Sequence, residues 1–306
     1  MNITPGPQPL VSFLTVNFHQ RLVTLELVNS LLELNYPNWE CVIVNNHEPD
    51  DVLEAELAGV SQVTIISTNQ NLGFAGGNNA GLKHCKGEFI YFINNDTEVS
   101  SDLLSPIIDL FRSREEVGMI SSKIVYFHDR KTIQYAGATE LNKITTRNKG
   151  IGDGEPDNGQ YDMVVPTAFV HGASMVVPRK LINEIGPMYE EYFLYYEEYD
   201  WCEQFKRAGY QIWYCGLSKI YHKESVATGV NSPLKVYYLT RNRLLFAKRN
   251  YSKLNYGLNL LYFTFLAMPK GLVTHLMKGE YKQAKAMVRG YIWNINSTSK
   301  EIDNRI

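Results

Sequence analysis

The chain has no close pair of cysteines. Cys41, Cys85, Cys202 and Cys215 are scattered and form no CxxC, so neither a zinc knuckle nor a redox dithiol is indicated. Four cysteines in 306 residues are also too few for a disulfide scaffold, and they read as reduced, buried thiols of a cytosolic protein. The opening MNITPGPQPL lacks the basic start and apolar run of a secretory signal. No stretch reaches the roughly 18 unbroken apolar residues of a spanning helix. The greasiest segment, LNLLYFTFLAMP at 258–269, is short and ends at a proline, so the chain is not expected to thread a membrane. Net charge is only −2, which argues against a protein that coats nucleic acid. A charged fraction of 20% beside 44% hydrophobic residues excludes disorder and leaves a sizeable core.

The small net charge hides an asymmetry. From Pro233 to Lys300 there are twelve Lys and Arg and one acid, Glu280, so an acidic body precedes a basic, aromatic tail. Such a tail reads equally as a solvated helical face or as a surface for anionic lipid.

Strand and helix signals alternate through the first half. VSFLTVNF (11–18), WECVIVNN (39–46), VTIIST (63–68) and GEFIYFINND (87–96) are apolar runs rich in β-branched and aromatic residues, separated by helical stretches. This order predicts parallel βαβ units in an open α/β sheet, whose ligands bind at the carboxyl ends of the strands. Residues 140–163 are rich in Gly, Asn and Asp without a period and read as a mobile loop. FVHGASMVVP gives a further strand, a helix begins near Glu197, and Ser232-Pro233 caps the helix PLKVYYLTRNRLLFAKRN.

Four pieces carry candidate chemistry. NQNLGFAGGNNAGL (69–82) sets four glycines among four asparagines before a helix, which suits either a diphosphate contact or a tight turn. FINNDTEV ends a buried strand in Asn94, Asn95 and Asp96, oxygen donors fit for Mg²⁺ or Mn²⁺, although Asp96 can equally be a helix cap. In FLYYEEYDWCEQFKRAGY, helical spacing sets Glu198 on one stripe with Trp201, Cys202 and Phe205. A carboxylate held on apolar surface has the raised pKa of a general base, and a core-edge ion pair is the rival reading. His222 closes the strand-like run WYCGLSKIYH, and its meaning depends on whether it meets Asp96.

Taken in order, VNF, VIVNN…D, NxGFAxGNNxG, NND, HGASMVV, YEExDWC and a following His resemble glycosyltransferase family 2, the inverting nucleotide-sugar transferases, and most of all its rhamnosyltransferase-like branch. The similarity covers roughly residues 10–250 and implies a GT-A, Rossmann-like fold: a mixed, mostly parallel sheet flanked by helices, with a C-terminal helical extension. It implies a catalytic domain over 1–232, with a nucleotide-sugar half at about 10–125 and an acceptor half at about 126–232, and a basic amphipathic tail over 233–306. Asn17, Asn46 and Asp50 then match base and ribose positions, and Asn71, Gly73 and Asn79 the loop beside the donor diphosphate. Asn94 and Asp96, with Asn95 between them, match the DxD motif. Asp96 and His222 become the metal ligands, Glu198 the catalytic base, and Arg241 with Asn242 a pair near acceptor or pyrophosphate.

Three departures stand out. Asn45 replaces an aspartate that recognises the base in many members, Asn94 replaces the first DxD aspartate, and Glu198 replaces an aspartate, which leaves Asp200 and Glu197 as alternates for the base. The resemblance implies a divalent cation, a dTDP- or UDP-linked sugar donor, a glycan or lipid-linked oligosaccharide acceptor, no nucleic acid, and a cytoplasmic enzyme resting on the inner membrane face. A sugar-1-phosphate nucleotidyltransferase is a weaker fit, since VNFHQRLVTL offers only Arg21 for a triphosphate. A degenerate sugar-nucleotide-binding subunit is the non-enzymatic alternative.

Overall fold

The computed structural model describes residues 8–223 and 231–295. The polar loop after His222 and the last residues of the basic tail lie outside the described residues.

The first half alternates as its sequence predicts: β1 (Val11–Asn17), α1 (Arg21–Leu32), β2 (Trp39–Asn45), α2 (Asp51–Leu57), β3 (Val63–Ser67), α3 (Gly73–Leu82), β4 (Phe89–Ile93). A short β5 (Thr97–Val99), α4 (Ser105–Ser113), β6 (Val117–Tyr126) and β7 (Ile133–Tyr135) follow. Then come β8 (Val164–Pro166), β9 (Ser174–Pro178), α5 (Arg179–Ile185), α6 (Glu197–Arg207) and β10 (Gln211–His222). The chain ends in α7 (Pro233–Asn250), α8 (Lys253–Tyr262), a π turn at Phe263–Ala267, α9 (Met268–Met277) and α10 (Tyr281–Ile295).

The sheet runs β3-β2-β1-β4-β9-β6-β10-β5. Its first four strands are parallel, β9 is antiparallel to both β4 and β6, and β10 returns parallel to β6. Helices cover both faces, which is why β1, β2 and β4 are apolar almost throughout rather than alternating. Close packing of α3 is written into Gly81: a Cβ there would lie 2.4 Å from Leu14 and 2.5 Å from Val44.

Two registers bring distant residues together. Asn94–Asp96 leave the carboxyl end of β4, and β5 then pairs antiparallel with β10 so that Thr97 faces His222. His222 therefore arrives beside Asp96 by strand pairing alone.

Two expectations need correction. The 140–163 segment is tied down rather than loose. Bridges join Thr132 to Pro156, Ala138 to Gly150 and Asn142 to Arg147, and the fully buried Lys123 ammonium pairs with Asp157 at 2.9 Å and with Asp162. Its Gly and Asn content supplies turns, and a buried ion pair supplies the anchor. The apolar segment at 258–269 is also not the whole helix. The helical run continues over Lys253–Met277, 25 residues of which an 18-residue stretch has mean hydropathy 1.3, long and apolar enough by composition to cross a membrane. The π turn lies just before Pro269, where the missing proline N–H would break an ordinary i→i−4 ladder.

α7 is not a detached tail. Tyr237, Tyr238, Arg241, Asn242, Leu244 and Phe246 are all buried against the body, and α10 packs along α7.

Candidate active site

A cavity of about 340 Å³ opens at the carboxyl ends of β1, β2 and β4. Asn46, Asn71, Gly73, Asn94, Asn95, Asp96, Glu197, Glu198 and His222 all line it, joined by Phe18, Gln134 and His171. Leu234 and Lys235 reach it from the first turn of α7.

Asp96 and His222 make one corner. Nδ1 of His222 lies 2.8 Å from Oε1 of Gln134, an acceptor, so this nitrogen carries the proton and donates it. Nε2 is turned toward Asp96, 3.1 Å from Oδ1, and that buried oxygen has no hydrogen-bond donor. Two electron-pair donors facing each other in a buried corner suit a cation between them. The Asn94 amide sits 3.4 Å from the same Nε2. Among the described residues no group of three or more His, Cys, Asp or Glu gathers, so a metal here would have Asp96 and His222 as its carboxylate and imidazole donors. That set fits a hard divalent ion completed by water and diphosphate oxygens.

The opposite wall is acidic. Glu197 and Glu198 occupy the first turn of α6, and Oε2 of each is buried without a partner. Backbone amides near the helix start favour the ionised form of Glu198, but burial outweighs them and pushes its pKa up to about 7. Burial, then the neighbouring Glu198 carboxylate, holds Glu197 well above the usual carboxylate range. Both carboxyls are thus held above their ordinary range, and Glu198, at about 7, is suited to gain and lose a proton near neutral pH.

These acids follow a strained turn. Phe193, Tyr195 and Tyr196 all have positive φ, 62°, 70° and 74°. Such residues each store about 1–3 kcal/mol and persist only when their surroundings fix them. Nδ2 of Asn242 donates toward the carbonyls of Tyr192, Leu194 and Tyr195 at 2.7–2.8 Å. Arg241 donates to the carbonyls of Glu191 and Tyr192 and, through Nε, to Oδ1 of Asn242 at 2.7 Å. Its guanidinium is sandwiched between Tyr238 and Trp293, each 4.7 Å away. On the other side of the turn, Phe193 O accepts from Phe74 N at 2.6 Å. Gly73 (φ +71°) is required there, because a Cβ would meet that carbonyl at 2.3 Å.

Several sequence candidates stand outside the cavity. Asn17 is fully buried, donating to Asn45 Oδ1 at 2.8 Å and accepting from Gln20 N and Thr24, so it joins β1 to β2 and the start of α1. Asn45, spent on that contact, does not line the cavity either. Asp50 caps α2 through Leu53 N at 3.1 Å. Asn79 donates to Met188 O at 2.8 Å and to Glu190 at 2.9 Å. Arg241 braces the turn from behind. Of the two alternates for Glu198, Asp200 is fully buried and bound by Arg249 at 3.1 Å and Asn250 at 2.7 Å, while Glu197 stays in the cavity. Within the cavity, Asn46 spends its amide on the loop, donating to Asn71 and Gly73 O and accepting from Leu72 N.

The cavity residues that the sequence reading left without a role include Gln134, His171, Leu234 and Lys235. Gln134 orients His222, and no motif signals it. His171 accepts from Ala173 N at 3.1 Å through Nδ1, so its Nε2 carries the proton. Burial lowers its pKa to about 3, which keeps it neutral beside His222. HGASMVV contains it, but only the fold turns it inward. Leu234 and Lys235 were assigned to the tail, although Ser232-Pro233 already marked where α7 begins.

Comparisons with known proteins agree with this geometry. The family model "Glycosyl transferase family 2" matches residues 12–186. The hexosyltransferase Agl10 of low-salt glycan biosynthesis from Haloferax volcanii is 25% identical over 70% of this chain and 69% of its own. The dTDP-rhamnosyl transferase RfbF of Shigella flexneri is 24% identical over 84% of this chain and 87% of its own. Among solved structures, the Pyrobaculum calidifontis mannosyltransferase PcManGT, in complex with GDP-Man and Mn²⁺, superposes with a TM-score of 0.61 at 13% identity, covering 97% of this chain and 91% of that one. TarS 1–349 of S. aureus gives 0.59 at 16% identity over 94% and 81%. With the family model spanning more than half its length and the fold of GT-A enzymes around its cavity, the chain belongs to glycosyl transferase family 2 and is a glycosyltransferase.

Proposed function

We propose that the enzyme moves a hexose, rhamnose in the first instance, from a dTDP- or UDP-linked donor to a hydroxyl of a glycan or lipid-linked oligosaccharide in surface polysaccharide synthesis. The transfer is a single in-line displacement with inversion, on the cytoplasmic side of the membrane. One observation carries the reading: the unpartnered Asp96 oxygen with His222, and the acid pair Glu197–Glu198, face one cavity. RfbF, named as a dTDP-rhamnosyl transferase, supports that donor.

Glu198 takes the acceptor hydroxyl's proton as the new bond forms, a role its pKa near 7 suits. Glu197, whose carboxyl burial also holds well above the usual range, stands beside the base in the same cavity. Asp96 and His222 would hold the divalent cation, Mg²⁺ or Mn²⁺, with Gln134 fixing the imidazole. When bound, that ion neutralises charge on the departing nucleoside diphosphate. Lys235 adds a cation to the same cavity, with no acidic partner among the described residues. Asn71 and Gly73, held by Asn46, form the floor under the donor.

A panel of nucleotide sugars tests the reading. With Mn²⁺ present, a dTDP- or UDP-linked hexose raises the melting temperature and is slowly hydrolysed. Asp96→Ala weakens Mn²⁺ binding at least tenfold, read by the paramagnetic signal of free Mn²⁺ without any turnover. A panel in which every nucleotide sugar is inert rejects the proposal. For Lys235, Lys235→Ala weakens UDP or dTDP about tenfold, the worth of one charge-assisted contact. It leaves the matching nucleoside unchanged, and equal losses for both would assign Lys235 to folding instead.

A further inference from the structure

The exposed side of the C-terminal helices has a composition the catalytic body lacks. Along the run Lys253–Met277, Leu254, Leu258, Leu261, Phe265 and Leu276 are 41–73% exposed, and the first four recur at spacings of four, three and four. This is one stripe of a helix, left facing solvent. Five exposed lysines, Lys253, Lys270, Lys278, Lys282 and Lys285, lie in the same part of the chain, with Glu280 as the only acid between the first and the last of them.

On its other side the run meets protein at a few positions, chiefly in α8 and the π turn, while no residue of α9 is buried. Asn259 is fully buried and donates to Ile144 O at 2.6 Å and Thr146 at 2.8 Å. Phe263 is buried against Tyr291, and a Cβ on Gly271 would meet Met287 at 2.5 Å. A helix held in this way lies along the body and cannot cross a bilayer without losing those contacts. After α9 the chain turns back, and Glu280 accepts from the Asn231 amide at 2.9 Å while Gln283 donates to Asn231 O. Asn231 is three residues before Leu234, which lines the cavity. The turn after α9 therefore lies beside the start of α7, whose first turn lines the cavity.

We propose that the α8–α9 face docks on an anionic phospholipid bilayer, lying in its interface with the lysines at headgroup level, and so holds the cavity edge at the membrane surface. The apolar stripe supplies burial in the acyl boundary, and the lysines supply attraction that salt weakens. The surface rests on the transferase reading only for its purpose, which is to meet a membrane-bound acceptor.

Flotation of the full chain with phosphatidylcholine vesicles, with and without phosphatidylglycerol, tests it. Wild type binds only the anionic vesicles, and less at high salt. The double variant Leu258→Glu/Phe265→Glu lowers partitioning about tenfold or more. Lys270→Glu/Lys278→Glu does the same through charge alone, and covers the case in which the first variant fails to fold. Absent binding by wild type, or binding that neither variant changes, overturns the proposal. So does a stable dimer that Leu258→Glu dissociates, since the face would then belong to a second copy. Hydrolysis of a soluble nucleotide sugar stays intact in both variants. Its absence in wild type would count against the transferase reading and not against docking.

Discussion

Glu198→Gln lowers sugar transfer by about 10²- to 10⁴-fold, the range expected when a general base is removed, while nucleotide binding survives. The amide keeps the shape of the side chain and cannot accept a proton. In wild type, the rate at limiting acceptor climbs with pH and levels off above about 7, where Glu198 is ionised. The residual rate of the variant has no such step. Stability moves the opposite way. Because the folded chain binds this proton more tightly than the unfolded chain, the favourable contribution is complete below the usual glutamate pKa near 4.5 and disappears as pH rises through about 7. At pH 8, Glu198→Gln is therefore more stable than wild type, by up to about 3 kcal/mol, and near pH 4 the two melt alike. Turnover near wild type in the variant would move the base to Glu197. A melting difference independent of pH would show that Glu198 is not held against apolar surface.

Much of the fold was legible because its first half obeys local rules. β1, β2 and β4 are apolar almost throughout, and a helix follows each of β1, β2 and β3 as the order predicts, although α3 already begins at Gly73, inside the Gly/Asn run that reads as a turn. Ser232-Pro233 announced α7, and its Ser232 cap accepts from Lys235 N as expected. The convergence of Asp96, Glu198 and His222 could be expected from the order of motifs, and strand register brings it about. Local pattern could not say how polar side chains are spent. Asn17, Asp50 and Asn79 have the residue types of ligand contacts, yet they bind backbone and neighbouring side chains, and Asn45 accepts from Asn17 through Oδ1 while its Nδ2 is buried without a partner. Nor could it separate the scaffold from the tail, since the basic composition of α7 hides a buried face. The 140–163 arm misled for a related reason. Its glycines and asparagines look loose, but its anchor, the Lys123 ion pair, lies far away in sequence.

Arg241 and Asn242 illustrate that limit most clearly, and they carry the second large effect. Asn242→Ala removes the single amide that serves three carbonyls of the positive-φ turn. Leaving buried acceptors unpaired costs about 1–3 kcal/mol each, with partial relief as the turn relaxes. A net loss of about 2–4 kcal/mol corresponds to a fall in melting temperature of roughly 3–6 °C for a chain of this size. The catalytic loss is larger than this implies. The turn runs directly into Glu197 and Glu198, and a shift of about 1 Å in a catalytic group can cost on the order of 100-fold in rate. Turnover should therefore fall about 100-fold at a temperature where the variant is still fully folded. Nucleotide affinity should fall less than turnover, because Asn46 holds the donor floor in addition to the Phe193 contact with Phe74 N. Arg241→Lys should give a milder version, since its ammonium cannot bond the Glu191 and Tyr192 carbonyls and Asn242 together from one planar group. A folded Asn242→Ala enzyme with undiminished turnover would mean that the acids are positioned by α6 alone, and that the strained turn has no part in aiming them.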